Sequence, residues 1–324
     1  MPVHQPLSPA CLPQSMDKDA PLWEPYKYLL SLGGKGIRNK LMDAFNHYLH
    51  VSPAKLGVIK TCIEMLHNAS LLIDDIEDNS SMRRGKPSAH VKYGLPSTIN
   101  TGNLCYFFTL QNVLKAYEDD KDMCINMMRA FTEEMVQLHR GQGFELHWRD
   151  HGECACPSMD EYRDMVSNKT GGLLRLGVKM MQYASGSDKN LVEIADLIGV
   201  HFQIRDDYLN LASTKYTDAK GFCEDLSEGK FSYPIIHSIQ SSSDQAQELL
   251  RIVRSKPTDV ATKLRALELI QETKSLEQTE SVIDALDAQI TEELLKLGGN
   301  PILEKVMTIL REEYTAARKA RIAA

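Results

Sequence analysis

Apolar residues recur along this chain every three to four positions, and the period-two alternation of a half-buried strand is sparse. Between residues 55 and 76, Val58, Ile59, Cys62, Ile63, Leu66, Ala69, Leu72, Ile73 and Ile76 trace one such stripe. The same rhythm predicts helices over 104–117, 123–138, 162–183, 191–211, 246–252, 259–288 and 301–320. Small and turn-forming residues punctuate the connections, so Pro96-Ser97, residues 150–157, Ser185-Gly186-Ser187 and Ser241-Ser242-Ser243 are predicted loops. The start of the chain carries Pro2, Pro6, Pro9 and Pro13 with no apolar segment, which predicts a disordered tail over 1–20 and no secretory leader. Neither a repeat nor a linker interrupts the remainder. The expected fold class is therefore all-α, one helical domain over 21–324.

Composition narrows the function classes. Of 324 residues, 43% are hydrophobic and 25% charged, enough apolar surface for a sizeable buried core. The formal net charge is −7, from 44 acidic against 37 basic residues, which argues against nucleic acid as the main partner. No stretch reaches the roughly 18 consecutive apolar residues of a membrane span. The seven cysteines are odd in number and scattered, and Cys154 with Cys156 finds no second pair at zinc-type spacing. Reduced cysteines and a cytoplasmic location are the expectation.

Two carboxylate clusters carry the chemistry: Asp74-Asp75-Ile76-Glu77-Asp78 and Asp206-Asp207-Tyr208-Leu209-Asn210. On a helix, residues four apart share a face, which stacks Asp74 over Asp78 and Asp206 over Asn210. Oxygen ligands gathered on a helix surface suit Mg²⁺, and through Mg²⁺ a diphosphate. A single acidic cluster would read as a solvated helix end. Arg83 and Arg84, following the first cluster, shift that balance because guanidinium groups fork onto phosphate oxygens. Lys220, Asp225 and Lys230 follow the second.

Two glycine-containing motifs are less specific. Gly33-Gly34-Lys35-Gly36-Ile37-Arg38 offers backbone N–H groups and two cations to an anion, but it lacks the P-loop spacing, and a simple turn explains it equally well. Lys169-Thr170-Gly171-Gly172 lies within a helical stretch, where each glycine costs about 1 kcal/mol relative to alanine. Either a kink exposing carbonyls or close helix packing accounts for the pair. His67 lies about two helical turns before Asp74 on the same face, so it is better placed than His139 to meet a substrate.

These motifs, in this order and spacing, resemble the trans-prenyltransferases, or isoprenyl diphosphate synthases, over nearly all of residues 21–324. The family's two aspartate-rich motifs correspond to residues 71–78, with trailing Arg83-Arg84-Gly85, and to 202–210. Residues 220–226 and Gly229-Lys230-Phe231 resemble the fungal and animal geranylgeranyl branch in particular. The general second motif ends in aspartate where this chain has Asn210, a feature of that branch. It leaves open whether Asn210 meets metal.

The resemblance implies the isoprenoid synthase bundle with a central active-site cavity, assembled as a homodimer or as several dimers. It implies Mg²⁺, about three ions per site, with Asp74, Asp78 and Asp206 as direct ligands and Asp75, Asp207 and Asn210 in support. Arg83, Lys169, Lys220 and Lys230 would hold an allylic diphosphate, and Lys35, Arg38, His67 and Arg84 isopentenyl diphosphate. Thr170 and Gln203 would line the reacting centre. The implied reaction ionises the allylic diphosphate, adds isopentenyl diphosphate to the cation and loses a proton to the released diphosphate, with water excluded.

Product length should follow the depth of the apolar tunnel below Asp74. Ala69 and Ser70 lie about 6–7.5 Å down the helix and are both small, so a farnesyl tail passes them. Tyr106, Phe107, Phe108 and His139 are candidates for a floor further down, ordinary core packing being their other reading. The expected reaction joins farnesyl (also geranyl or dimethylallyl) diphosphate to isopentenyl diphosphate, giving geranylgeranyl diphosphate. The alternatives are another chain length, a terpene cyclase, or a non-catalytic synthase subunit. A cyclase would normally carry an Asn-Asp pair, which this chain lacks.

Overall fold

The 55–76 stripe folds into a single long helix, Pro53–Glu77, packed among the helices of its own compact unit. The computed structural model describes residues 19–34, 36–151, 156–212, 222–241 and 244–323. Lys35, Lys220, Cys154 and nearly all of the predicted tail lie outside the described residues. After a 3-10 turn (Ala20–Trp23) come α1 (Glu24–Ser31), α2 (Ile37–Leu49), α3 (Pro53–Glu77) and a hairpin of β1 (Met82–Arg83) and β2 (Lys86–Pro87). Next are α4 (Ala89–Tyr93), α5 (Leu95–Ala116), α6 (Lys121–Asp150), α7 (Met159–Val166), a π turn (Ser167–Gly171) and α8 (Gly172–Ser185). The remainder is α9 (Val192–Ala212), α10 (Glu224–Glu228), α11 (Tyr233–Gln240), α12 (Asp244–Ser255), α13 (Val260–Glu272), α14 (Ser275–Lys296) and α15 (Pro301–Ala323).

The chain forms two compact units, one holding the residues through Thr132 with Leu176–Lys189, the other Glu133–Arg175 with Asn190 onward. In the first, α3 packs along α5. Gly102 makes this contact possible: a Cβ there would sit 2.7 Å from Ile73 Cδ1 and 3.6 Å from the Ala69 carbonyl. Trp23, Tyr26, Leu29, Met65, Ala69, Leu72 and Cys105 bury the core beneath. Further along the same two helices a cavity of about 250 Å³ is lined by Gly57, Val58, Thr61, Cys62, Met65, Thr109, Asn112 and Val113. Residues 57–65 lie beside 109–113, and 69–73 beside 102, so the two helices run antiparallel.

In the second unit, α9 is central and contacts α14, α15, α11 and the π turn. Its buried face includes Ile198, Ile204, Tyr208 and Leu209. Ile235, Ile236, Leu269, Ile270 and Ile283 complete that core.

Several boundaries differ from expectation for local reasons. Pro96 is not in a loop; it occupies the first turn of α5, where its fixed φ and missing N–H are tolerated. The 259–288 stretch is two helices, broken where Lys274 turns left-handed at φ +54°. The α6 helix runs on to Asp150, well past 138. By length and hydropathy α3 alone among the described helices would permit a membrane span. Its apolar face is instead packed in the core just described.

Candidate active site

In the first unit the acidic cluster ends α3. Asp75 is fully buried, while Asp74 is half-buried and Asp78 caps the helix. Burial raises the Asp75 pKa, and Arg83 opposes that shift. Arg83 Nε donates to Asp75 Oδ1 at 2.7 Å, Nη2 pairs with the same oxygen, and Nη2 lies 3.6 Å from Asp74 Oδ2. Asp75 Oδ2 is left without a hydrogen-bond partner, as is the buried Nδ1 of His90.

A tight hairpin delivers Arg83. Met82 pairs with Pro87 and Arg83 with Lys86, leaving a two-residue loop of Arg84 and Gly85. Both have positive φ, +53° and +73°, as a type I′ turn requires. Tyr28 anchors the hairpin by donating to the Pro87 carbonyl at 2.7 Å. Ser88 Oγ adds a bond to the Ser80 carbonyl at 2.5 Å.

Arg84 faces the glycine turn between α1 and α2: a Cβ on Gly34 would sit 3.3 Å from its Nη2. The Arg38 side chain, on α2, lies 2.9 Å from His67 Nε2. A guanidinium only donates, so Nε2 accepts and the His67 proton sits on Nδ1. Burial, then Arg38, Arg84 and Arg83, push the His67 pKa far down and keep the ring neutral. The unit thus brings Arg38, His67, Arg83 and Arg84 together beside Asp74.

In the second unit the paired carboxylates again divide into a buried and a half-buried member. Asp207 is buried, Asp206 half-buried. Asp207 Oδ2 accepts from Tyr162 OH at 2.5 Å and from the Tyr233 backbone N–H at 2.8 Å. Its Oδ1 accepts from Gln203 Nε2 at 2.8 Å. Burial still wins over these three donors and lifts the Asp207 pKa to about 6. With its amide oriented by Asp207, Gln203 turns Oε1 to the Thr170 hydroxyl, 2.7 Å away.

Of the two readings of the Lys169–Gly172 glycines, close packing is the one the structure shows. Residues Ser167–Gly171 form a π turn, a one-turn widening of the helix. Close packing accompanies it: a Cβ on Gly199 would lie 2.8 Å from Gly171 Cα, and one on Gly141 2.5 Å from the Lys169 nitrogen. Lys169 Nζ is ion-paired with Glu145. Asn210 is buried, and its Oδ1 accepts the Asp225 N–H at 3.2 Å, so this side chain ties α9 to the start of α10. Lys230 follows α10 and pairs with Glu228 at 2.6 Å.

Chain-length candidates separate. Ala69 is buried against Gly102, and Ser70 is half-buried with its hydroxyl on the His67 carbonyl at 2.8 Å. Phe108 stacks edge-on against Trp23 at 5.1 Å and belongs to the core. This contact is what the packing reading of Phe108 describes. Tyr106 packs at the border of that core. Phe107 is 74% exposed, which rules out core packing for it. His139 lies in the second unit, with Nδ1 2.7 Å from the Met135 carbonyl one turn back.

Residues with no sequence signal complete the site. Tyr162 and Tyr233 are remote in sequence from Asp207, and Glu145 from Lys169. A single chain gives no means of pairing them.

Among the described residues no three carboxylate, imidazole or thiol groups converge as a ready-made metal cage. Mg²⁺ needs none, because it is commonly held by one or two carboxylates plus phosphate oxygens and water. Asp74 and Asp78 in one unit, and Asp206 in the other, fit that donor set.

Comparison with known proteins agrees with this chemistry. Residues 19–270 match the model of the family described as polyprenyl synthetase. The chain is 51% identical over 292 residues to a geranylgeranyl pyrophosphate synthase of Mucor circinelloides f. lusitanicus, covering 90% of this chain and 93% of that one. A geranylgeranyl pyrophosphate synthase of Dictyostelium discoideum is 47% identical, covering 91% and 95%. A protein named terpene synthase from Matsumurasca onukii is 44% identical, covering 91% and 94%. Two aspartate pairs, each with one carboxylate locked and its neighbour presented, and a match spanning most of the chain lead to one conclusion: this protein belongs to the polyprenyl synthetase family.

Proposed function

We propose that this chain condenses an allylic diphosphate, preferably farnesyl diphosphate, with isopentenyl diphosphate to give geranylgeranyl diphosphate. The observation that carries the reading is the repeated aspartate arrangement. In each unit the second aspartate is buried and fixed from behind, by Arg83 or by Tyr162, Gln203 and Tyr233. The first is then held at one orientation toward a ligand. In this reading Asp74, Asp78 and Asp206 are the Mg²⁺ ligands, and through Mg²⁺ they meet a diphosphate.

When bound, Mg²⁺ would supply the positive charge that lets the allylic diphosphate depart. The protein's own groups do the rest. Arg83, Lys169, Lys230 and, outside the described residues, Lys220 neutralise the allylic diphosphate. Arg38, Arg84, the neutral His67 and Lys35 hold isopentenyl diphosphate. The Thr170 and Gln203 dipoles face the allylic carbon as its charge develops. The proton lost in the last step goes to the departed diphosphate. The small Ala69 and Ser70 admit a C15 tail. We place the enzyme in the cytoplasm as a homodimer or an assembly of dimers.

The relative named terpene synthase favours a second reading, cyclisation of an allylic diphosphate. Asp206-Asp207 and the Arg38–His67–Arg84 cluster support chain elongation over it. Incubation with Mg²⁺, isopentenyl diphosphate and each allylic primer in turn, with products read by mass spectrometry, tests both. A C20 diphosphate is expected. Hydrocarbon products, or none with any primer, would refute the proposal.

A further inference from the structure

The Thr170–Gln203 contact rests on a π turn, and a π turn is an unfavourable local structure that its surroundings must hold. Glycines at 141, 171 and 199 make room for it but supply no attraction. The attraction comes from Arg175, one turn past the π segment and almost fully buried. Its Nη1 donates to the Ser167 carbonyl at 2.7 Å and lies 2.9 Å from the Ser167 hydroxyl. The same nitrogen pairs with Asp196 on α9. On its other edge, Nε and Nη2 reach Glu134 Oε2 on α6 at 3.1 and 2.9 Å. Ser167 Oγ donates to Asp196 Oδ1 at 2.7 Å, closing the ring.

Glu134 is 3% exposed, so this is a buried guanidinium between two carboxylates on two different helices. Such a group is costly to assemble, and a hydrophobic substitute is often no less stable. Its value lies in direction. Arg175 takes hold of the first residue of the π turn and of both helices flanking it, α6 and α9. Those helices carry the glycines that abut the turn, and α9 also carries Gln203. Arg175 touches neither Lys169 nor Thr170.

We propose that Arg175, with Glu134, Asp196 and Ser167, is a positioning residue that sets the π turn and thereby aims Lys169 and Thr170 at the allylic diphosphate. This rests on the allylic role proposed for Lys169 and Thr170. A lysine at 175 keeps the charge but loses the planar fork that spans three partners at once. The clamp should therefore loosen while the buried carboxylates remain compensated.

The test uses the full-length protein and the variants Arg175→Lys, Ser167→Ala and Asp196→Asn. Ser167→Ala and Asp196→Asn are the milder changes should Arg175→Lys fold poorly. Hydrogen exchange of amides 165–173 reads the turn directly, without reference to activity. Exchange there should accelerate about tenfold or more in Arg175→Lys, and by less in the milder variants. Steady-state kinetics should show KM for the allylic diphosphate raised about five- to tenfold, with KM for isopentenyl diphosphate within about twofold of wild type. A purely structural arginine would lower the active fraction and move neither KM. Unchanged exchange over 165–173 in all three variants overturns the clamp whatever the activity. Faster exchange with both KM values unmoved overturns the aiming role. A wild-type enzyme that elongates no allylic diphosphate overturns the function beneath it, while the exchange data still decide the clamp.

Discussion

Gly199 offers the sharpest test of the site geometry. A Cβ at this position would lie 2.8 Å from Gly171 Cα and 3.3 Å from Gly171 nitrogen, both backbone atoms that cannot rotate away. Ordinary contact begins near 3.4 Å, so Gly199→Ala must part α9 from the π turn by about 0.6 Å. That gap opens next to the 2.7 Å bond from Thr170 to Gln203. Overpacking costs about 1–3 kcal/mol, of which helix propensity returns about 1 kcal/mol when glycine becomes alanine. Net destabilisation should be no more than about 2 kcal/mol by urea denaturation. Catalysis should suffer more, because a misplacement near 1 Å can cost on the order of a hundredfold. We expect kcat to fall about tenfold or more, with KM for isopentenyl diphosphate within about twofold. Gly143→Ala is the control: it too lies in a helix, but its Cβ would meet nothing within 4 Å. That variant should gain up to about 1 kcal/mol and keep its kinetics. A Gly199→Ala enzyme with wild-type kcat would refute the view that α9 and the π turn must stay in close register.

Three further outcomes follow from particular contacts. Arg83→Met strips buried Asp75 of its charge partner and should cost about 3 kcal/mol in chemical denaturation. Adding Asp75→Asn should recover much of that stability but no activity, and an Arg83→Met single variant as stable as wild type would contradict the pairing. Ser70→Phe places a ring at the half-buried one of the two small tunnel positions, Ala69 being buried with no room for it, and should shift products from C20 toward C15 by mass spectrometry; an unchanged C20 product would sink the tunnel placement. His201 is buried facing Asp287, Arg205, Arg311 and Asp284, with its pKa pushed down to about 4 by burial. Unfolded, the ring takes a proton below about 6.5, so stability should fall as pH drops from there toward 4, by up to about 3 kcal/mol. The rise in the Asp207 pKa acts in the opposite direction, so the measurement is the difference between wild type and His201→Gln, and parallel stability–pH curves for the two would refute it.

What could be read from the chain alone was local. The α3 stripe shows in its apolar spacing, and the acidic pairs show because their members are adjacent. The glycine pair at 171 and 172 stood out within a helical stretch, but what excludes a side chain at 171 is remote: a Cβ there would sit 2.8 Å from Arg175 Nη1 and 2.9 Å from Asp196 Oδ1. Long-range pairing was not legible. Nothing near Asp207 announces that Tyr162 and Tyr233 will supply its donors, at separations of 45 and 26 residues. Arg175 reads in sequence as one more basic residue on a helix. The Arg84-Gly85 hairpin had a local signal, a residue followed by glycine between short extended pairs, but its strands are too short for the alternation that announces a hairpin.

The two aspartate pairs also bear on how a family can keep an expensive arrangement. A buried carboxylate pays desolvation, and the raised pKa values of Asp75 and Asp207 record that this cost is incompletely offset. A fold selected for stability alone would place asparagine or an apolar residue at either position. Retaining the charge makes sense if the buried carboxylate adds negative potential directly behind its half-buried neighbour, where cations must gather around a diphosphate. On this view Arg83 and the Tyr162–Gln203–Tyr233 cradle serve to fix direction. They keep Asp75 and Asp207 turned inward, so that Asp74 and Asp206 have one face left to present.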